Sequence, residues 1–256
     1  SEAVSLLKEH PDARIISGGS DVLIKIREGR MAGTSLVSIR DIEKLKGIEK
    51  KDSGDIYIGA GTVFSHITAD PVIQECVPVL GEAVDQVGGP QIRNIGTIGG
   101  NICNGAVSAD SAPTVFSYNA LLHIADDKDG RIVPVRDFYL GPGRVDLRPG
   151  EVLTHVVIPK AEYEGYHGNY IKYSMRNAMD IATLSCSVVS KVDTVTNILE
   201  DVRITFGVAA PVPYRCTETE ELLKGQKPYE WIRGFFEKKS YTAAENTTYD
   251  KEKLKK

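Results

Sequence analysis

The stretch from Gly88 to Asp110 constrains this chain most, because six of its twenty-three residues are glycine. Glycine lets a backbone take positive φ and approach a ligand with its N–H groups bare. Thr97, Asn101, Ser108 and Asp110 add hydrogen-bonding side chains around that backbone. A lone Gly-Gly marks an ordinary turn as readily as a ligand site, and a second such turn changes the reading. Ala13 to Ser17 reads as a short buried strand running into Gly18-Gly19-Ser20-Asp21, and Val22 to Arg27 as a helix capped by Ser20 or Asp21. A strand, a diglycine turn and a helix N-terminus form a recurring anion site, with unpaired N–H groups and the helix dipole both favouring a phosphate. Two such clasps, about eighty residues apart, suit a long ligand with negative charge in its middle, such as a dinucleotide. The Gly-x-Gly-x-x-Gly fingerprint does not follow the first strand, so single-loop NAD binding is not supported.

A chain of 256 residues, 41% hydrophobic, has room for one large domain or two smaller ones. Its net charge of −4 and pI near 5.8 give no electrostatic ground for expecting nucleic acid or an anionic membrane as partner. No apolar run approaches the ~20 residues of a membrane helix and no basic-then-apolar leader opens the chain, so a cytoplasmic protein is expected. Cys76, Cys103, Cys186 and Cys216 form no Cys-x-x-Cys pair. No metal site is expected from them, and buried thiols fit better than a disulfide framework.

In order, the chain predicts an opening amphipathic helix over Ala3 to Leu7, then the first clasp, a strand at Leu36 to Ile39, a helical turn at Asp41 to Leu45 and a strand at Ile56 to Ala60. Thr62 reads as the cap of a helix from Phe64 to Ala69 that ends at Pro71, and a further helix from Val79 to Val87 delivers the chain into the second clasp. A helix at Ser111 to Tyr118, a hairpin of Ala120 to Ala125 with Arg131 to Val135, and a strand at Glu151 to Ile158 follow. Beyond a polar stretch at Ala161 to His167 come strands at Asn169 to Met175, Ile181 to Val192 and Val202 to Ala209. Helices are then expected at Glu218 to Lys224 and Tyr229 to Lys238, with a polar tail after Ser240. That order suggests an α+β fold.

Three ordered segments carry a resemblance: Ile15 to Leu23, Gly89 to Asn101, and Tyr173 to Ile181, supported by Ser108 to Ala112 and Phe206 to Pro211. Together they resemble the FAD-binding subunits of the molybdenum hydroxylases, in particular the bacterial xanthine dehydrogenase branch. The resemblance covers the chain to about Cys216. It implies a vanillyl-alcohol-oxidase (PCMH) type FAD-binding domain of two α+β subdomains, about 1–50 and 51–162. A CO-dehydrogenase-flavoprotein-like α+β domain at 163–256 would follow. It implies one of three subunits: a molybdopterin subunit oxidises the substrate, a subunit with two iron–sulfur clusters carries electrons, and this one passes them through FAD to NAD. The alternatives are a noncatalytic nucleotide-binding module, or the flavin subunit of a nicotinate or aromatic-substrate hydroxylase with another acceptor.

Carried over by position, the resemblance makes Ser17, Gly18, Gly19, Ser20, Asp21 and Val22, with Thr97, Gly99, Gly100 and Asn101, the holders of the FAD pyrophosphate and its neighbourhood, chiefly through backbone N–H groups. Ser108 and Asp110 complete the cofactor set. Asp110 would accept from cofactor hydroxyls, although a carboxylate there reads equally as the cap of the helix after it. Lys172 would lie beside the flavin ring, although strand alternation puts it opposite Ile171 and Tyr173, where it could simply face water. Arg176 and Asp180 would form the turn at the ring's mouth where NAD docks. An aromatic residue that animal relatives carry before the clasp is replaced by Val87 here. Gly100 is expected at positive φ, so that Gly100→Val would abolish cofactor binding.

Overall fold

The computed structural model describes residues 2–176 and 178–228; the helix expected at Tyr229 to Lys238 and the polar tail lie outside them. The opening helix Glu2–Glu9 buries Ala3, Val4 and Leu7 on one face, whereas Leu6, which its spacing also assigns to that face, is exposed. It packs on a parallel pair, β1 (Arg14–Ile16) and β2 (Leu36–Ser38), in a small core shared with Ala13, Ile39, Leu45 and Val152.

A larger antiparallel sheet follows. Its strands are β3 (Ile48–Lys50), β4 (Ile56–Gly59), β5 (Leu121–Ala125), β6 (Arg131–Pro134) and, beyond a short hairpin β7 (Tyr139–Gly141) and β8 (Arg144–Val145), β9 (Val152–Ile158), in the order β3-β4-β9-β5-β6. Ile56, Ile58, Leu122, Val156 and Ile158 are fully buried on one face of it, in a cluster with Phe64, Ile67, Leu80 and Val115 from the helices Phe64–Ala69, Pro78–Asp85 and Ser111–Ser117. All seven residues of the helix Ser111–Ser117 are buried. It lies between this core and a second antiparallel sheet, β10 (Tyr166–Tyr173), β11 (Leu184–Asp193), β12 (Ile198–Gly207) and β13 (Tyr214–Arg215).

Several local expectations change. Thr62 is not a helix cap: its hydroxyl donates to the Gly47 carbonyl and accepts from the Gly47 N–H, holding the turn into β3, a strand too short and polar to stand out in the sequence. Pro71 starts a helix, Pro71–Cys76, because the Asp70 carboxylate caps it through Val72 N–H and Ile73 N–H. The helix Val22–Arg27 has no side-chain cap from Ser20 or Asp21. The two-residue strand β13 pairs Tyr214 and Arg215 with Phe206 and Thr205 at the sheet edge, too short to carry a period of its own.

The second sheet buries side chains on both of its faces. Its apolar face, with Val188, Val192 and Ile204, meets Leu223 of the helix Thr217–Leu223. Its inner face adds Tyr170 and Val189 to the main core and is otherwise small and polar. Ser185, Ser187 and Thr205 are buried there, and Ser117 meets Thr205 hydroxyl to hydroxyl at 2.9 Å. Arg203 joins the two layers: its guanidinium bonds the Ser117 and Glu162 carbonyls, pairs with Glu162 and Asp201, and lies 4.3 Å from the Tyr166 ring centroid. Arg203→Ala strips a buried cation, 8% exposed, from two carboxylates. It is expected to cost about 3–5 kcal/mol, read as a lowered urea midpoint, whereas a midpoint equal to wild type would show the pairs to be idle.

Candidate functional site

The two clasps meet. A Cβ built on Gly18 would lie 1.8 Å from the Ile95 carbonyl oxygen, so only glycine lets the first turn lie against the second. Side chains tie the same junction: Lys25 Nζ donates to Asn104 Oδ1 at 2.7 Å, and Asn104 Nδ2 donates to Asp21 Oδ1 at 3.1 Å. Neither Lys25 nor Asn104 was singled out in the sequence, since a lysine and an asparagine seventy-nine positions apart carry no pattern. The Asp21 carboxylate thus bridges the clasps instead of capping its helix.

The clasps differ in what they offer. At the second, the helix Ile98–Asn104 begins with its donors already engaged: Ile98 N–H reaches Thr62 O, Gly99 N–H Ala60 O, Gly100 N–H Thr97 Oγ1, and Asn101 N–H Thr97 O. Gly99 is needed for that packing, since a Cβ there would meet Ala60 Cβ at 2.6 Å. Gly100 is exposed and helical, not at positive φ, so the strain argument for Gly100→Val falls. At the first clasp the N–H groups of Gly19, Ser20, Asp21 and Val22 reach no acceptor among the described residues, and Gly19 takes φ +77°. Free anion-binding donors therefore belong to the first turn, and the second supplies shape and side chains. Ser17 and Gly18, which precede these donors in the chain, are half-buried, and so is Ser108. Asn101 accepts from Ser111 Oγ at 2.7 Å through Oδ1, which leaves its amide N–H donors. Cys103, inside the clasp helix, is a thiol pushed up to about 12 by burial and is inert as a nucleophile.

Asp110 and Lys172 come together from different layers. Lys172 Nζ lies 2.9 Å from Asp110 Oδ2 and 2.9 Å from the Gln86 carbonyl, with both side chains nearly buried, at 6% and 7% exposed. Tyr170, two residues earlier on the same face of β10, donates its hydroxyl to Asp110 Oδ1 at 2.8 Å. Asp110 sits at the start of the helix Ser111–Ser117 but its carboxylate caps nothing. The water-facing reading of Lys172 also fails, because Ile171 and Tyr173 are the exposed residues, at 63% and 67%. Burial pushes the Asp110 carboxyl above its ordinary value, against the downward pull of Lys172 and then Tyr170.

Arg176 and Asp180 pair with each other. The Asp180 carboxylate accepts from Arg176 N–H at 2.9 Å, Ile181 N–H at 3.0 Å and the Arg176 guanidinium at 3.3 Å, and the last of these contacts most lowers its pKa. The turn folds back on the second clasp: a Cβ built on Gly89 would lie 3.3 Å from the Met179 side chain. Arg93 secures the same region by donating to the Val87 and Gly88 carbonyls beside its 3.3 Å pair with Asp85. Val87 is half-buried against the core. No hydrogen bond or ion pair among the described residues joins Arg176 or Asp180 to Lys172 or Asp110.

Free N–H groups at the first clasp, a side-chain amide on the second and a paired carboxylate at its end are the donors and acceptors that an elongated ligand with a central diphosphate and flanking hydroxyls needs. Residues 1–161 match the family model described as the FAD binding domain in molybdopterin dehydrogenase, and residues 169–238 match the CO dehydrogenase flavoprotein C-terminal domain. The chain is 38% identical to the xanthine dehydrogenase FAD-binding subunit of Escherichia coli O157:H7, over 86% of this chain and 75% of that one. It is 32% identical to the carbon monoxide dehydrogenase medium chain of Hydrogenophaga pseudoflava, over 84% and 73%. The solved structure of that organism's carbon monoxide dehydrogenase lacking the Mo-pyranopterin moiety superposes with a TM-score of 0.83 at 30% identity, covering 88% of this chain and 77% of that one. The chain therefore belongs to the FAD-binding subunits of the molybdenum hydroxylases, the flavin-carrying part of an oxidoreductase and not its molybdopterin-bearing part.

Proposed function

We propose that this chain is the flavin subunit of a xanthine dehydrogenase-type complex, receiving electrons from an iron–sulfur partner that a molybdopterin partner reduces, and delivering them to NAD. The observation that carries this reading is the free N–H run at Gly19 to Val22, facing a second clasp with the buried Asp110–Lys172 pair at its end. Bound FAD supplies the two-electron chemistry that links a one-electron iron–sulfur path to a hydride acceptor. The first clasp, Ser17 to Val22, binds the pyrophosphate through its N–H groups. Thr97, Gly99, Gly100 and Asn101 shape the opposite wall, while Ser108 and Asp110 take the cofactor's hydroxyls. Lys172 orients Asp110 and keeps a third ammonium N–H beside the ring. Arg176, whose side chain is 70% exposed, presents its guanidinium to NAD, and Asp180 holds it there.

The domain division that accompanies this reading is 1–162 for the FAD-binding domain, with subdomains of about 1–50 and 51–162, and 163–256 for the C-terminal domain. All four cysteines are free thiols, in keeping with the reducing cytoplasm. The test is spectroscopic. The purified chain takes up FAD, turns yellow and loses its visible flavin absorbance under anaerobic NADH. A flavin bleached by dithionite but not by NADH points to another acceptor, such as oxygen or a quinone, and a chain that takes up no FAD overturns the reading.

A further inference from the structure

The carboxylate of Asp110 is held by groups from a different layer. Tyr170 and Lys172 both stand on β10, whereas Asp110 starts the helix Ser111–Ser117 of the preceding core. Among the described residues each Asp110 oxygen has one side-chain donor, Tyr170 at 2.8 Å on Oδ1 and Lys172 at 2.9 Å on Oδ2. A carboxylate has about four lone-pair sites, so capacity remains for hydroxyl donors of a ligand. Two fixed donors also pin its plane, which a single ion pair would leave free to rotate. Tyr170 is itself built in. Its ring is buried and its N–H donates to Glu82 at 3.3 Å from the helix Pro78–Asp85, and Ser185 of β11 lies on the same face of the sheet, opposite Lys172 in the register. The Gln86 carbonyl holds Lys172, and Cys186 of β11, opposite Ile171 in the register, stands on the sheet's other face.

We infer that Tyr170 is a positioning residue: its hydroxyl fixes the Asp110 carboxylate in one orientation and in its ionised form, so that the cofactor-binding carboxylate exists only when the second sheet is docked. This rests on the reading of Asp110 as an FAD ligand. Burial pushes the Tyr170 phenol above its ordinary value and so keeps it protonated, as the donor to Asp110. The Asp110 carboxylate, without that bond, has only Lys172 to offset its burial.

Tyr170→Phe removes one hydroxyl and keeps the ring. In the apo chain carrying 13C-carboxyl aspartate, with the Asp110 resonance assigned through Asp110→Asn, the Asp110 titration should move up by about one pH unit, the size expected when a charged acceptor loses one hydrogen bond. FAD affinity, followed against pH in the same variant, should weaken on acidification at a correspondingly higher pH than in wild type. Ser185→Ala, which alters the same face of the sheet without touching the Tyr170 ring, should shift both in the same direction by less, and it carries the test if Tyr170→Phe does not fold. An Asp110 titration unmoved in a folded variant overturns the inference, whatever happens to melting temperature. A titration that moves in apo protein, with wild type taking up no FAD at any pH, upholds the Tyr170–Asp110 coupling and overturns the flavin reading instead. A titration that moves while the affinity profile stays fixed removes Asp110 from the cofactor's ligands, and with it the positioning role.

Discussion

Lys172→Met is expected to lower stability by about 3–5 kcal/mol at pH 8, with the deficit shrinking as the solution is made more acid. The pair it breaks is buried, and the ammonium that leaves also serves the Gln86 carbonyl. What remains is a carboxylate with one donor, Tyr170, and little water. A carboxyl whose pKa is raised on folding binds more protons in the native than in the unfolded state. The stability it provides is complete below the unfolded value of about 3.9 and is lost as pH rises through the folded value. Asp110 is already on that side of its ordinary value, and loss of the nearby cation pushes it further up. The gap between wild type and variant therefore opens with rising pH. Urea denaturation at pH 5, 6.5 and 8 measures it, and a gap equal at all three would show that Lys172 stabilises by packing its stem and not by its charge. In the loaded protein the same variant should also shift the flavin midpoint potential.

Gly18→Ala is the second large effect. The new methyl would sit 1.8 Å from a backbone oxygen, Ile95 O, and no rotamer change relieves a clash with main chain. Either clasp must move by more than an ångström, and the Asp21–Asn104–Lys25 bonds at 2.7 and 3.1 Å stretch with it. FAD affinity is expected to fall at least about 100-fold, equivalent to about 2.7 kcal/mol, measured by flavin fluorescence quenching on titrating apo protein. Gly100→Ala, on the wall that the second clasp is proposed to offer the cofactor, is the comparison and should cost less, because Gly100 is exposed and helical and the nearest neighbour of its added Cβ is Thr97 Oγ1 at 3.0 Å. Equal loss in the two variants would mean that bulk at the clasps, and not their approach to each other, governs binding.

Much of the architecture is legible in the residues. The helix Val22–Arg27, the helix Phe64–Ala69, the β5–β6 hairpin and the long strands β11 and β12 stand close to where periodicity and turn residues place them. The two glycine clasps are visible in the sequence, and the resemblance to a flavin family points to Asp110 and Lys172 as separate site residues; that these two pair with each other comes from the structure. Short elements escaped, because three residues of β3 or two of β13 carry no measurable period.

The sequence by itself determined that β10 has two faces, one with Tyr170 and Lys172 and the other with Ile171 and Tyr173. Only the tertiary structure decided which face turns inward. Burial is a property of layers: the small polar inner surface of Ser185, Ser187 and Thr205 admits the helix Ser111–Ser117 and the Asp110 carboxylate, while the apolar surface is turned toward a different helix. The same holds for the clasps. Composition marked both as glycine-rich, but which N–H groups stay free depends on the carbonyls of Ala60 and Thr62, which fold up against the second clasp and leave the first one open.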